Sequence, residues 1–96
     1  MLDGAVVTRM PTCGDADDVF LDVGRRRIYV SCGEGVVDVF AVRGDAYERI
    51  ARVPTAPGAR TSLFVPELDR LFVAARATFG QPASILVFKP DQPSLK

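Results

Sequence analysis

The feature that most constrains this chain is that it matches itself. Displaced by 43 residues, Arg9, Pro11, Thr12, Ala16, Arg27 and Val30 fall on identical residues Arg52, Pro54, Thr55, Ala59, Arg70 and Val73. Met10 then meets Val53, Phe20 meets Leu63, Ile28 meets Leu71 and Tyr29 meets Phe72. Beyond Gly33 the second copy is longer, after which Phe40 falls on Phe88. A chain with such a repeat is expected to fold as two similar units, each built from what one copy contains.

Each copy contains strands. Apolar residues come in short runs bounded by Gly or Pro, not at helical spacing. Strands are expected at Val19 to Asp22, Arg27 to Cys32, Val36 to Val42, Tyr47 to Val53, Thr61 to Val65, Arg70 to Ala75 and Ser84 to Phe88, with an eighth at Ala5 to Met10 ending at Pro11. Turns are expected at Gly24-Arg25-Arg26, Gly33-Glu34-Gly35, Gly44-Asp45 and Pro66 to Asp69. Pro90 and Pro93 end regular structure, with a frayed tail to Lys96. The continuous runs Val19-Phe20-Leu21, Ile28-Tyr29-Val30, Leu71-Phe72-Val73 and Ile85-Leu86-Val87-Phe88 imply strands covered on both faces. Arg49-Ile50-Ala51-Arg52-Val53 mixes charge with apolar residues, as a half-exposed outer strand does. The expected core is Phe20, Ile28, Val30, Val39, Leu71, Val73 and Val87.

The chain has 96 residues, which suits residues 1–96 forming a single domain. Lys plus Arg balances Asp plus Glu at 12 each, so there is no basic field to hold nucleic acid. No apolar run approaches the roughly 18–20 residues that span a bilayer. The N-terminus carries no basic region followed by an apolar stretch, so it does not read as a signal peptide. An extracytoplasmic location stays open if the chain is a fragment of an exported protein, and the compartment is left unassigned. The chain has no His, which removes Ser-His-Asp and Cys-His machineries and the commonest metal ligand.

A period of this length holding four strands is the pattern of a β-propeller blade. The alternative is a small sandwich with chance internal similarity. The order apolar strand, turn, Ile28-Tyr29-Val30-Ser31, turn, Val37-Asp38-Val39-Phe40 resembles the YVTN-type (WD40-like) β-propeller repeat. The second copy, Leu71-Phe72-Val73-Ala74 and Leu86-Val87-Phe88, keeps the shape and lacks the Asp. The resemblance implies an all-β fold of about two four-stranded antiparallel meander blades. With strands A to D running outward from the hub, the order is D-ABCD-ABC. Repeat 1 covers about 12–53, repeat 2 about 55–90, and residues 5–11 form an outer closing strand. Two blades fall below the roughly three repeats a stable stack needs. The chain is therefore expected either to be part of a larger propeller or to assemble with copies of itself. A trimer, with six blades, is favoured over a dimer with four. In that assembly Ala5 to Met10 would close, between molecules, the sheet that ends at Phe88.

Candidate chemistry gathers on one rim. In a blade, the loops before strand A and between strands B and C share a rim, which brings together Cys13, Asp15, Asp17, Asp18, Cys32 and Glu34. Asp15, Asp17, Asp18 and Glu34 supply oxygen ligands of the kind Ca²⁺ takes, although their spacing is not that of an EF-hand loop. The other reading is a solvated acidic turn whose Asp side chains cap backbone amides. Cys13 and Cys32 either form a disulfide across the rim or stay as two small semi-buried thiols. Asp17 maps onto Arg60, and with Asp18 these residues either contact a polar ligand or form an ion-pair ring about the hub. Arg25-Arg26-Arg27 is a solvated basic turn. The leading function is a non-catalytic binding or scaffold module. The alternative is a segment of a lactonase-like or quinoprotein-like propeller enzyme, in which Asp17, Asp18 or Glu34 would have to act as the base.

Overall fold

The computed structural model describes residues 4–90. Within them the chain is all-β with no helix: seven strands in two antiparallel sheets. The first sheet is a meander of β1 (Ala16–Asp22), β2 (Arg27–Cys32), β3 (Val36–Arg43) and β4 (Ala46–Pro54). The second contains β5 (Thr61–Val65), β6 (Arg70–Ala75) and β7 (Ser84–Phe88) in the order β5-β6-β7. The turn residues account for the meander. Gly35 (φ 109°) and Gly44 (φ 61°) take the left-handed backbone conformation that spares Gly the Cβ clash. In the β1–β2 turn that role falls to Arg26 (φ 58°), two residues after Gly24, and in the β5–β6 turn to Asp69 (φ 57°).

The internal repeat extends to the hydrogen-bonded ladders. Val19, Phe20 and Leu21 face Val30, Tyr29 and Ile28, while Ser62, Leu63 and Phe64 face Val73, Phe72 and Leu71. Each pair in the second set lies 43 positions after its partner in the first. Ile28, Tyr29 and Val30 face Phe40, Val39 and Asp38, as Leu71, Phe72 and Val73 face Phe88, Val87 and Leu86. The turn before β7 absorbs the extra residues, and the register resumes.

The core lies between the sheets. Tyr29, Val37 and Val39 of the first meet Phe64, Leu71, Val73 and Ala75 of the second, together with Ala59 just before β5. Tyr29 and Phe64 meet edge to face, with centroids 5.3 Å apart. A second cluster covers the far side of the first sheet: Cys13, Val30, Cys32 and Phe40, with Met10, Ile28 and Val36 packed against it.

Several expectations need correction. Residues 5–11 lie in no ladder, so the described residues hold seven strands and not eight. Among the described residues β7 is an edge of the other sheet, and the N-terminal segment instead lays Met10 and Cys13 on the first sheet. Val87 is 55 % exposed, with Leu63 at 54 % and Ile85 at 59 %, because the outer face of the second sheet has no neighbour among the described residues. Val19 and Leu21 on edge strand β1 are exposed as well, and Phe20 and Ile28 are only half-buried. Val30, Val39, Leu71 and Val73 are buried as expected. The mixed run at Arg49 to Val53 is indeed an edge strand, β4. The tail with Pro93 lies outside the described residues.

Candidate functional site

The acidic rim forms where β1, the β2–β3 turn and the start of β5 meet. Asp15 sits just before β1 at φ 61°. Its carbonyl accepts the Gly33 N–H at 2.9 Å, and its carboxylate lies so close over Gly33 that a Cβ there would collide with it. Asp17 is the extra residue of a β-bulge between Ala16 and Asp18 and is exposed. The bulge turns Asp18 towards the second sheet, where its carboxylate accepts the Ser62 N–H at 2.7 Å. Ser31 donates to the Arg60 carbonyl at 2.7 Å and shares a 2.8 Å hydrogen bond with the Ser62 hydroxyl. The Gly58 N–H donates to the Gly33 carbonyl at 2.6 Å.

Asp15, Asp18 and Glu34 therefore have separate partners. Arg60 reaches Asp15 at 3.2 Å, and the pair is about half exposed on both sides. Glu34 accepts the Gly14 N–H at 2.6 Å. No group of three or more acidic, Cys or His side chains arranged to hold a metal occurs among the described residues. Cys13 and Cys32 are joined in a disulfide, with Cα atoms 5.9 Å apart. It staples the N-terminal segment to the end of β2.

Two buried carboxylates carry the strongest electrostatics, and sequence reasoning missed both as sites. Asp38, in the middle of β3, is fully buried. Arg52 on β4 grips it through Nε at 2.7 Å and Nη2 at 3.0 Å, and the Thr12 hydroxyl donates at 2.9 Å. Burial alone would push this carboxyl up. The hydrogen bonds from Arg52 and Thr12 and the charges of Arg52 and Arg49 outweigh it and hold the group below the usual carboxylate range. Thr55, the counterpart of Thr12, has a buried hydroxyl with no partner among the described residues. The repeat explains the orphan, because the counterpart of Asp38 is Leu86.

Asp22 is the other buried carboxylate. It accepts the Tyr29 hydroxyl at 2.6 Å and Arg25 Nη1 at 2.9 Å. Burial favours its neutral form, but Tyr29 and Arg25 prevail and keep it low. The same environment, burial first and then Asp22, pushes the Tyr29 phenol up. Arg25 also forks onto Asp69 with two 2.8 Å bonds, tying the β1–β2 turn to the β5–β6 turn. Arg25, expected in a solvated basic turn, is instead part of a clamp between the sheets. At the other end of the second sheet is a cavity of about 490 Å³ whose lining includes Gly58, Arg60, Thr61, Ala74, Arg76 and Ile85.

No family model, curated protein or solved structure matches this chain.

Proposed function

We propose that this chain is a non-catalytic scaffold or binding module of the β-propeller type, which completes itself with further copies of the same chain. The observation that carries this reading is the repeat in the ladders. Two sheets share one pairing register, the second lacks a fourth strand among the described residues, and its outer face is apolar and exposed. A sheet edge and an apolar sheet face left open together favour association over a lone monomer. Three copies would give six blades, and residues 5–11 of one copy would serve as the fourth strand beside β7 of the next.

The carboxylates that a Ca²⁺ site or a catalytic base would require support the non-catalytic reading. Asp15, Asp18 and Glu34 are each held by an arginine or a backbone N–H of this chain. Arg60 is paired with Asp15 and not with Asp17, which speaks against a free Asp17–Arg60 ligand pair at the rim. Deleting residues 1–10 tests the assembly. Sedimentation velocity should show the defined species lost, with aggregation through the freed edge. An unchanged sedimentation coefficient would overturn the role given to the N-terminal segment. A metal survey with a Ca²⁺ titration tests the alternative, since bound Ca²⁺ that raises the melting temperature would favour the acidic-rim enzyme.

A further inference from the structure

Among the described residues the second sheet leaves an apolar face bare, and the repeat indicates what fits it. Between the two sheets, Phe20, Tyr29, Val37 and Val39 of the first pack with Phe64, Leu71 and Val73 of the second. The repeat counterparts of the first set are Leu63, Phe72, Ile85 and Val87, which form the bare face. The counterparts of the second set are Leu21, Ile28 and Val30, on the far face of the first sheet, where Val19 and Leu21 are exposed. The molecule therefore carries, on opposite faces, counterparts of both halves of an interface it already makes internally; on the first sheet Val19 and Leu21 are open, while Val30 is already covered by Cys13 and its cluster. Such halves join head to tail, and a head-to-tail contact either closes a ring or runs on as a filament.

The translated contacts are chemically consistent. The internal Tyr29–Phe64 ring contact becomes Phe72 against Leu21 of the second copy. The Ser31–Ser62 hydrogen bond becomes Ala74 against Val19 of the second copy, so polar meets polar inside and apolar meets apolar outside. The cavity beside this face has the same origin. Its residues Gly58, Thr61, Ala74, Arg76 and Ile85 are the counterparts of Asp15, Asp18, Ser31, Gly33 and Val37. In the first repeat, four of those positions contact residues 58–62 directly, through Asp15–Arg60, Asp18–Ser62, Ser31–Arg60 and Gly33–Gly58.

The charges also correspond, with their signs exchanged. In the first sheet the Asp15 carboxylate lies over Gly33 and receives Arg60. In the second sheet the Arg76 side chain lies over Gly58, in the place of the Asp15 carboxylate. The counterpart of Arg60 is Asp17. Asp17 and Arg76 are both exposed and make no ion pair among the described residues.

We propose that a second copy of this chain docks the Val19–Leu21 face of its first sheet onto the Leu63–Phe72–Ile85–Val87 face, with its Asp17 forming an ion pair with Arg76. This rests on the self-assembly reading above and names its contact surface. The β3–β4 pairing, carried over to the same junction, sets Met10 of the second copy opposite Ile85, Arg9 opposite Leu86 and Thr8 opposite Val87.

Charge exchange tests the contact. The full chain, Arg76→Asp, Asp17→Arg and the double variant are compared by light scattering at micromolar concentration. Both positions are exposed, so circular dichroism should show all four folded. Each single variant is expected to raise the dissociation constant at least tenfold, and the double variant to recover most of that loss. Val87→Glu, on the bare face, should dissociate the assembly without recovery by either charge change. If the parent chain assembles but the single variants assemble equally well, or the double variant is no better than either, this surface is wrong while self-assembly stands. If the parent chain is a monomer, self-assembly and this surface both fall.

Discussion

Tyr29→Phe isolates the clamp that joins the turns of the two sheets. The hydroxyl donates to Asp22 Oδ2 at 2.6 Å, and both residues are buried. The substitution keeps the ring and its edge contact with Phe64, so it opens no cavity and leaves the core intact. What is lost is one hydrogen bond to a charged group, a class that contributes about 1.5–3 kcal/mol. Asp22 retains Arg25 Nη1 at 2.9 Å and the Arg25 N–H at 3.2 Å, so its charge is not stranded and the cost should be about 2 kcal/mol. In a chain of this size, such a loss lowers the melting temperature by roughly 8–16 °C. Thermal melts at matched protein concentration, monitored by circular dichroism, read it directly. Acid supplies a second arm. The Asp22 pKa is depressed in the fold, so its stabilisation is present above the unfolded value and disappears as pH falls through the native one. The gap between parent and variant should therefore narrow below about pH 4. A variant within a degree or two of the parent at pH 7, or a gap that does not respond to acid, would refute the clamp.

Three further outcomes follow from the same reading. Thr55→Val removes a buried hydroxyl without a partner and should stabilise the fold by about 1 kcal/mol, measured as a higher urea midpoint at unchanged slope. Reducing the Cys13–Cys32 disulfide opens a loop spanning 19 positions and should cost about 3 kcal/mol, seen by comparing melts with and without reductant. Asp38→Asn should cost about 3 kcal/mol at pH 7 by breaking a buried charged pair. The Asp38 pKa is also depressed, so that loss should shrink as pH falls through the native value, and a pH-independent loss would contradict the ion pair.

Strand positions were legible because turn chemistry brackets them. Arg27–Cys32, Thr61–Val65, Arg70–Ala75 and Ser84–Phe88 lie between Gly, Pro or Asp residues that end pairing, and the structure starts and stops them at the expected residues. Burial was less legible. Reading Ile85 to Phe88 as covered on both faces presumes a neighbour on each side, and the described residues supply one. The Asp38–Arg52 pair was concealed by a bulge. Counting back from the Gly44–Asp45 turn places Ala51 opposite Asp38, but the extra residue Ile50 shifts the register and brings Arg52 there instead. The Arg25–Asp69 fork joins turns 44 positions apart, which no local pattern encodes. The rim was legible as a cluster but not in its pairing. Arg60 aligns with Asp17 by repeat, yet it binds Asp15, because a repeat relates equivalent positions whereas an ion pair needs adjacent ones.

The most direct test of the account is the mass of the full chain in solution, by light scattering coupled to size exclusion at micromolar concentration. The account predicts one closed species at about three times the 10.4 kDa chain mass, persisting on dilution through the micromolar range. A stable, soluble species at the mass of a single chain would contradict it.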